Sequence, residues 1–358
     1  MTRVRTFLSG VKVIDLSQYI PGPFASLMLA DLGAEVLKFE PPNGDGMRAL
    51  GPLDSEGQPI FYDALNASKS VLRLDLKSDA GRAALLDRIG GADILIEGFR
   101  PGVMQRLGLD YETLKLRRPE LIYCSISGYG PTGPLAEVAG HDGNYLAGSG
   151  IMDRNGTEQP AFFDPPVADM SGALFAVIAI LAALNSRHAS GVGVHIDLGL
   201  ADALMPLQLL QIAEWATNGT VPKPRSYYLN GGAAYYQVYP TADARHIMLG
   251  AVEPKFWRTF CEAAERHDWI LRQTEAVPQL TLIADVAAFF AGMTFDQAND
   301  RFDGVDCCLS PVLDLGEALT SPQIAERGLV PNGQALFPAK FDGETTGLRP
   351  PLLEMPSP

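Results

Sequence analysis

The 358-residue chain sets 28 lysines and arginines against 42 aspartates and glutamates, for a formal net charge of −14. That balance excludes a protein that tracks nucleic-acid phosphates, which needs a basic surface. With 47% hydrophobic and 20% charged residues, the composition is that of an enzyme-sized globular protein with chain enough for two domains.

Residues 11–16 read as a first strand, and Pro21-Gly22-Pro23 leads into a helical pattern over 24–32. Residues 34–40 form a second strand closed by Pro41-Pro42, and 70–76 a third. Ser78 is placed to cap a helix over 79–89. Residues 92–99 read as a fourth strand, Pro101 stands where a helix can open, and 121–127 read as a fifth strand. This alternation predicts an α/β fold with a mostly parallel, doubly wound sheet covered by helices on both faces. From 142 to about 210 the pattern turns helical, apart from one strand near 194–198. The Pro-, Gly- and Asn-rich stretch 217–232 reads as a linker, after which strands over 235–239 and 246–250 open a smaller α+β region. The expected organisation is a large α/β domain over 1–213, a small α+β domain over 214–322, and a C-terminal segment, 323–358, that returns to the large domain.

Four cysteines, Cys124, Cys261, Cys307 and Cys308, have no C-x-x-C spacing, which suits reduced thiols in a cytoplasmic setting. Residues 1–10 contain no apolar signal core, and residues 355–358 carry no peroxisomal Ser-Lys-Leu. The longest apolar run, 172–184, falls short of the ~20 residues that span a bilayer and reads as a core helix, so no membrane partner is expected.

Ligands of open α/β sheets bind beyond the carboxyl ends of the strands. There Lys77, Arg100 and the glycine-rich turn 127–130 converge, an edge suited to a phosphorylated ligand. Residues 128–133 spell G-x-G-x-x-G, but Pro131 and Pro134 interrupt the helix that a dinucleotide fingerprint requires, so a tight turn is expected. Of five histidines, His188, His246 and His267 lie in ordinary polar contexts, and His195 alternates along a strand. His141 stands apart, flanked by Gly140 and Gly143 at the start of a helical run, where backbone amides also attract anions. Asp169 heads the apolar helix and is either its N-cap or a functional acid with a perturbed pKa. Glu253, between a strand and a helix, reads by itself as a cap or turn residue.

The turn at Pro21-Gly22-Pro23 and the segments 31–36, 74–77, 97–108, 127–133, 140–150, 165–169 and 306–313 occur in an order and spacing that resemble one family over nearly the whole chain. That family is the alpha-methylacyl-CoA racemases, a branch of the family III CoA-transferase superfamily. The resemblance implies an isomerase that inverts the α-carbon of 2-methylacyl-CoA thioesters, with no metal and no permanently bound cofactor, coenzyme A being part of the substrate. His141 and Asp169 would be the two bases and Glu253 an aid to His141. The thioester oxygen would meet the backbone amides of Asp142 and Gly143. Coenzyme A would lie along Leu74, Lys77, Gly98, Phe99, Arg100, Arg106, Gly140, Asn144 and Tyr145. Where the racemases often carry an arginine before the proline that follows the second strand, this chain has Glu40, and Lys38 is the expected substitute. The resemblance further implies an interlocked homodimer. Two other readings stand beside it: a CoA transferase using Asp169 as acyl-anhydride nucleophile, and a catalytically silent CoA-ester-binding protein. The Gly-His-Asp at 140–142, where transferases commonly carry an aromatic residue, favours the racemases.

Overall fold

The strand β1 (Lys12–Leu16) is buried from Val13 onward, as a central parallel strand must be when helices cover both faces. The computed structural model describes residues 2–156 and 159–356, so the last two residues of the C-terminal tetrapeptide lie outside the described residues. They divide into two units, one drawn from Met1–Ser149, Phe163–Gln208 and Pro322–Pro358, the other from Gly150–Phe162 and Leu209–Ser321.

In the first unit β1 leads into α1 (Pro21–Asp31), whose opening proline presets a helical φ. β2 (Glu35–Glu40), α2 (Ile60–Asn66) and β3 (Ser70–Arg73) follow. α3 (Asp79–Ile89) is capped as its sequence indicates, with Ser78 Oγ accepting from Gly81 N at 3.0 Å. After β4 (Ile94–Glu97), the helix α4 (Val103–Leu107) starts two residues later than Pro101 suggests, because Gly102 first turns the chain at φ +78°. α5 (Tyr111–Leu114) and β5 (Ile122–Ser127) precede the turn that carries the G-x-G-x-x-G string. No helix opens there, and the next is α6 (Asp142–Ser149).

α7 (Ile151–Arg154) belongs to the second unit, and α8 (Val167–Ser190) returns to the first. α8 is long and apolar enough to cross a bilayer by length and composition. In the fold a stripe including Ala173, Ala176, Val177 and Ile180 is buried, α8 packs on α1 and β5, and Leu174 and Ile178 stay exposed. β6 (His195–Gly199) completes the run. The sheet is extended by a strand the sequence does not announce: β10 (Leu353–Glu354), from the returning tail, pairs with β3. Arg349 fastens that tail through a bidentate pair with Asp31 at 2.8 and 2.6 Å, both side chains buried.

The seven strands lie in the order β10-β3-β2-β1-β4-β5-β6, all pairs parallel. The order reverses between β1 and β4. A crevice opens beyond the strand ends at such a switch point.

The second unit contains α9 (Leu209–Asn218) and an antiparallel sheet, β7 (Tyr236–Pro240), β8 (His246–Gly250) and β9 (Leu309–Pro311). The helices α10 (Pro254–Ala263), α11 (Leu280–Ala291) and α12 (Phe295–Phe302) supply Trp257, Phe260, Phe290 and Phe302 to one aromatic core.

Candidate active site

The crevice floor is built of buried charge. Beyond β1 the chain runs through Ser17 and Gln18 into α1, with Gly22 pressed against Ser17. A Cβ at Gly22 would stand 2.0 Å from Ser17 Oγ, so only glycine permits the approach. Asp15 is wholly buried. Its Oδ1 accepts from Ser17 N at 2.9 Å and from the Ser17 hydroxyl, and its Oδ2 from Ser26 Oγ at 2.5 Å. Lys69 Nζ lies 3.5 Å from Oδ2 and donates to the carbonyl of Pro23 at 2.8 Å. Burial alone would raise the Asp15 pKa, but Lys38, Lys69 and the two hydroxyls outweigh it and hold it below the usual carboxylate range.

Lys38, expected to meet coenzyme A, instead points into the protein. Its ammonium is fully buried, donates to the Ser17 carbonyl at 2.7 Å and pairs with Asp45 at 2.9 Å. Two acceptors inside the protein make the inward direction affordable for a strand lysine, and none of its charge faces a ligand.

Above this floor lies a cleft of about 310 Å³ whose walls include Gly98, Phe99, Arg100, Gly140, His141, Tyr145 and Asp169. The His141 turn is fastened by its own helix: Asn144 Oδ1 accepts from His141 N at 3.0 Å, and the Tyr145 hydroxyl donates to the Gly140 carbonyl at 2.7 Å. Tyr145 also meets Tyr129 edge-on at 5.0 Å. Asp142 and Gly143 are the first residues of α6, where backbone N–H groups have no intrahelical partner.

Asp169 is not the cap of its own helix. Pro166 holds the N-cap position and supplies no capping side chain. The cap comes from Asp142, whose Oδ1 accepts from Ala168 N at 2.7 Å and Asp169 N at 3.1 Å. One carboxylate therefore ties the His141 turn to the helix bearing Asp169. Burial, and secondarily the charge of Asp142, push the Asp169 carboxyl up to about 7.

A second cavity of about 430 Å³ is lined by Leu74, Lys77, Phe99 and Gln18 among others, and it shares Phe99 and Gln18 with the first. Neither Lys77 nor Arg100 forms an ion pair among the described residues. Arg106 is exposed on α4, and neither it nor Asn144 borders either cavity. Glu253 lies in the second unit at the N-cap of α10, where its side chain makes no capping bond. Among the described residues no group of three His, Cys, Asp or Glu is arranged to hold a metal. Sequence reasoning misses Gln18 and the Asp142 carboxylate. The position directly after β1, at the switch point, is a signal that finds the former; the latter's bond spans 26 residues and has no local signal.

Residues 8–349 match the family model of CoA-transferase family III. The chain is 35% identical to the alpha-methylacyl-CoA racemase of Mus musculus, covering 92% of this chain and 84% of that protein. It is 32% identical to the acetyl-CoA:oxalate CoA-transferase of Acetobacter aceti, covering 92% and 87%. The crystal structure of a CAIB/BAIF family protein from Brucella suis superposes with a TM-score of 0.84 at 30% identity, covering 97% of this chain and 96% of that one.

Proposed function

The chain belongs to CoA-transferase family III, and from that premise we propose that it is a racemase or epimerase of 2-methylacyl-CoA thioesters. The observation that carries this reading is His141 and Asp169 in the walls of one cleft, with the carboxyl lifted to about 7. A side chain that must take a proton in one direction and give it in the other works best with a pKa near the working pH, whereas a carboxylate nucleophile is served by full ionisation.

One group removes the hydrogen from the carbon next to the thioester carbonyl, and the C–H electrons move into the enolate. The N–H groups of Asp142 and Gly143 stabilise the oxygen, and the second group returns a proton on the opposite face. His141 serves as base toward the S ester and Asp169 toward the R ester, with Glu253 aiding the imidazole. Lys77 and Arg100 meet the phosphates of coenzyme A, together with Arg106, while Leu74 and Phe99 flank it. Exposed apolar side chains on α8 (Leu174, Ile178) and on α9 (Leu209, Leu210, Trp215) support a homodimer, and four free thiols support a cytoplasmic setting.

The test is incubation of each enantiomer of a 2-methylacyl-CoA in heavy water. Both should gain deuterium at C2 and interconvert, and hydroxylamine should leave Asp169 unmodified. Transferases among the relatives favour the second reading, a CoA transferase with Asp169 as nucleophile. A hydroxamate on Asp169 together with acceptor-dependent CoA exchange would establish it. Binding without either reaction would make the chain a silent CoA-ester carrier.

A further inference from the structure

The turn that brings Phe99 and Arg100 to the cleft begins at Glu97, a carboxyl only 6% exposed. Its Oε2 accepts from Phe99 N at 2.8 Å. The β4–β5 register sets Glu97 directly opposite Ser125, whose hydroxyl works against the rise in the carboxyl's pKa. Ser125 Oγ in turn lies 3.0 Å from His195 Nε2 on the edge strand β6. The imidazole is stacked on Tyr111 at 5.3 Å and meets the edge of Tyr123 at 5.3 Å. Glu97 thus stands between the turn backbone, from which it accepts, and the hydrogen-bonded Ser125–His195 pair. Beside these residues lies a smaller cavity of about 210 Å³, which shares Phe99, Arg100 and Ser127 with the cleft.

We propose that Glu97 is a positioning residue for the coenzyme A ester, clamping the turn so that Phe99 and Arg100 face the ligand, and that Ser125 and His195 hold Glu97 in place. The proposal rests on the reading of Phe99 and Arg100 as coenzyme A contacts. Burial pushes the Glu97 carboxyl up, and the Ser125 hydroxyl and Phe99 N–H pull against that rise. In the proposed arrangement Glu97 accepts from Ser125, which leaves the Ser125 oxygen to accept from His195 Nε2. Each bond completes the next. A rigid turn spares the ligand the entropy of ordering it, which is gained as affinity rather than as turnover.

The full chain carrying Glu97→Leu, Glu97→Gln or Ser125→Ala is compared with wild type by calorimetry, with free coenzyme A as probe, and by steady-state kinetics. Glu97→Leu should weaken coenzyme A about 10-fold, raise KM in proportion and change kcat by less than about 3-fold. Ser125→Ala should weaken binding by about 3-fold. Glu97→Gln should recover most of the affinity, because the amide oxygen still accepts from Phe99 N. Its NH₂ would then donate to Ser125 and make Ser125 donate to His195, so the imidazole proton should move to Nδ1 in ¹⁵N spectra. A lowered Tm with unchanged coenzyme A affinity in both Glu97→Leu and Ser125→Ala would overturn the proposal, as would a Glu97→Gln variant as weak as Glu97→Leu. Where Glu97→Leu fails to fold, the other two variants carry the test. Arg100→Ala separates this from the reading of the cleft. Wild-type binding by Arg100→Ala overturns both, whereas its loss beside intact binding by Glu97→Leu overturns the Glu97 role alone.

Discussion

Asp15, buried and bonded to Ser17 of the cleft, and Asp169 in the cleft wall are the same side chain in opposite surroundings. Asp15 has two lysines and two serine hydroxyls about it and is held below the carboxylate range although wholly buried. Asp169 is also mostly enclosed, the charge beside it is the carboxylate of Asp142, and it is pushed up to about 7. Burial raises both. What decides the outcome is whether compensation was built in, and the uncompensated group is the one the proposed chemistry uses.

The largest effects should come from breaking the second half of that contrast. Asp169→Asn and His141→Ala should each lower inversion of a 2-methylacyl-CoA by ~10²–10⁴-fold, since each direction needs one group as base and the other as acid. The assay is chiral analysis of the ester, with folding checked by circular dichroism. Breaking the first half should cost the fold instead. Asp15→Ala leaves Lys69 buried without its carboxylate partner, and urea unfolding should show a loss of about 3–5 kcal/mol.

The two carboxyls should also bend stability in opposite directions with pH. The lowered pKa of Asp15 contributes stability that is present above the unfolded value near 4 and lost as pH falls. Asp169, raised to about 7, binds its proton more tightly in the folded state, so its contribution is present at low pH and lost as pH rises from about 4 to about 7. Asp169→Asn should therefore stabilise the chain at pH 8 by on the order of 1–3 kcal/mol and leave it unchanged near pH 3. Equal stability of variant and wild type at pH 8 would contradict the raised pKa.

The finest test concerns Asp142. Asp142→Asn keeps an oxygen to cap α8 but removes the charge. The Asp169 limb of the pH–rate profile should move to lower pH by up to about one unit, less than the desolvation contribution. A limb that stays in place would assign the whole rise to burial.

This contrast also marks where the sequence was legible. The βα rhythm and the Ser78 cap follow from periodicity and local capping chemistry, and the structure contains them; of the expected edge, Arg100 and residues 127–129 border the cleft and Lys77 the adjoining cavity. Lys38 was assigned to coenzyme A by resemblance alone, as the substitute for an arginine, and its buried partner Asp45 comes from a separate loop that no local pattern links to it. Asp169 offered two local roles. The cap is taken by Asp142, whose proximity only the tertiary fold creates. Glu97 was legible only as part of a motif, because its link to Ser125 and His195 depends on strand register.

The strand β10 carries a consequence for the order of synthesis. The chain lays down β1 to β6, then the second unit, and only afterwards the segment that pairs with β3 and the arginine that reaches Asp31. On a ribosome the β3 edge stays open, a template for wrong pairing, until the whole second unit has emerged. The smaller unit, contiguous apart from residues 150–162, has no comparable wait for a distant strand. The larger unit is thus first to begin and last to be sealed.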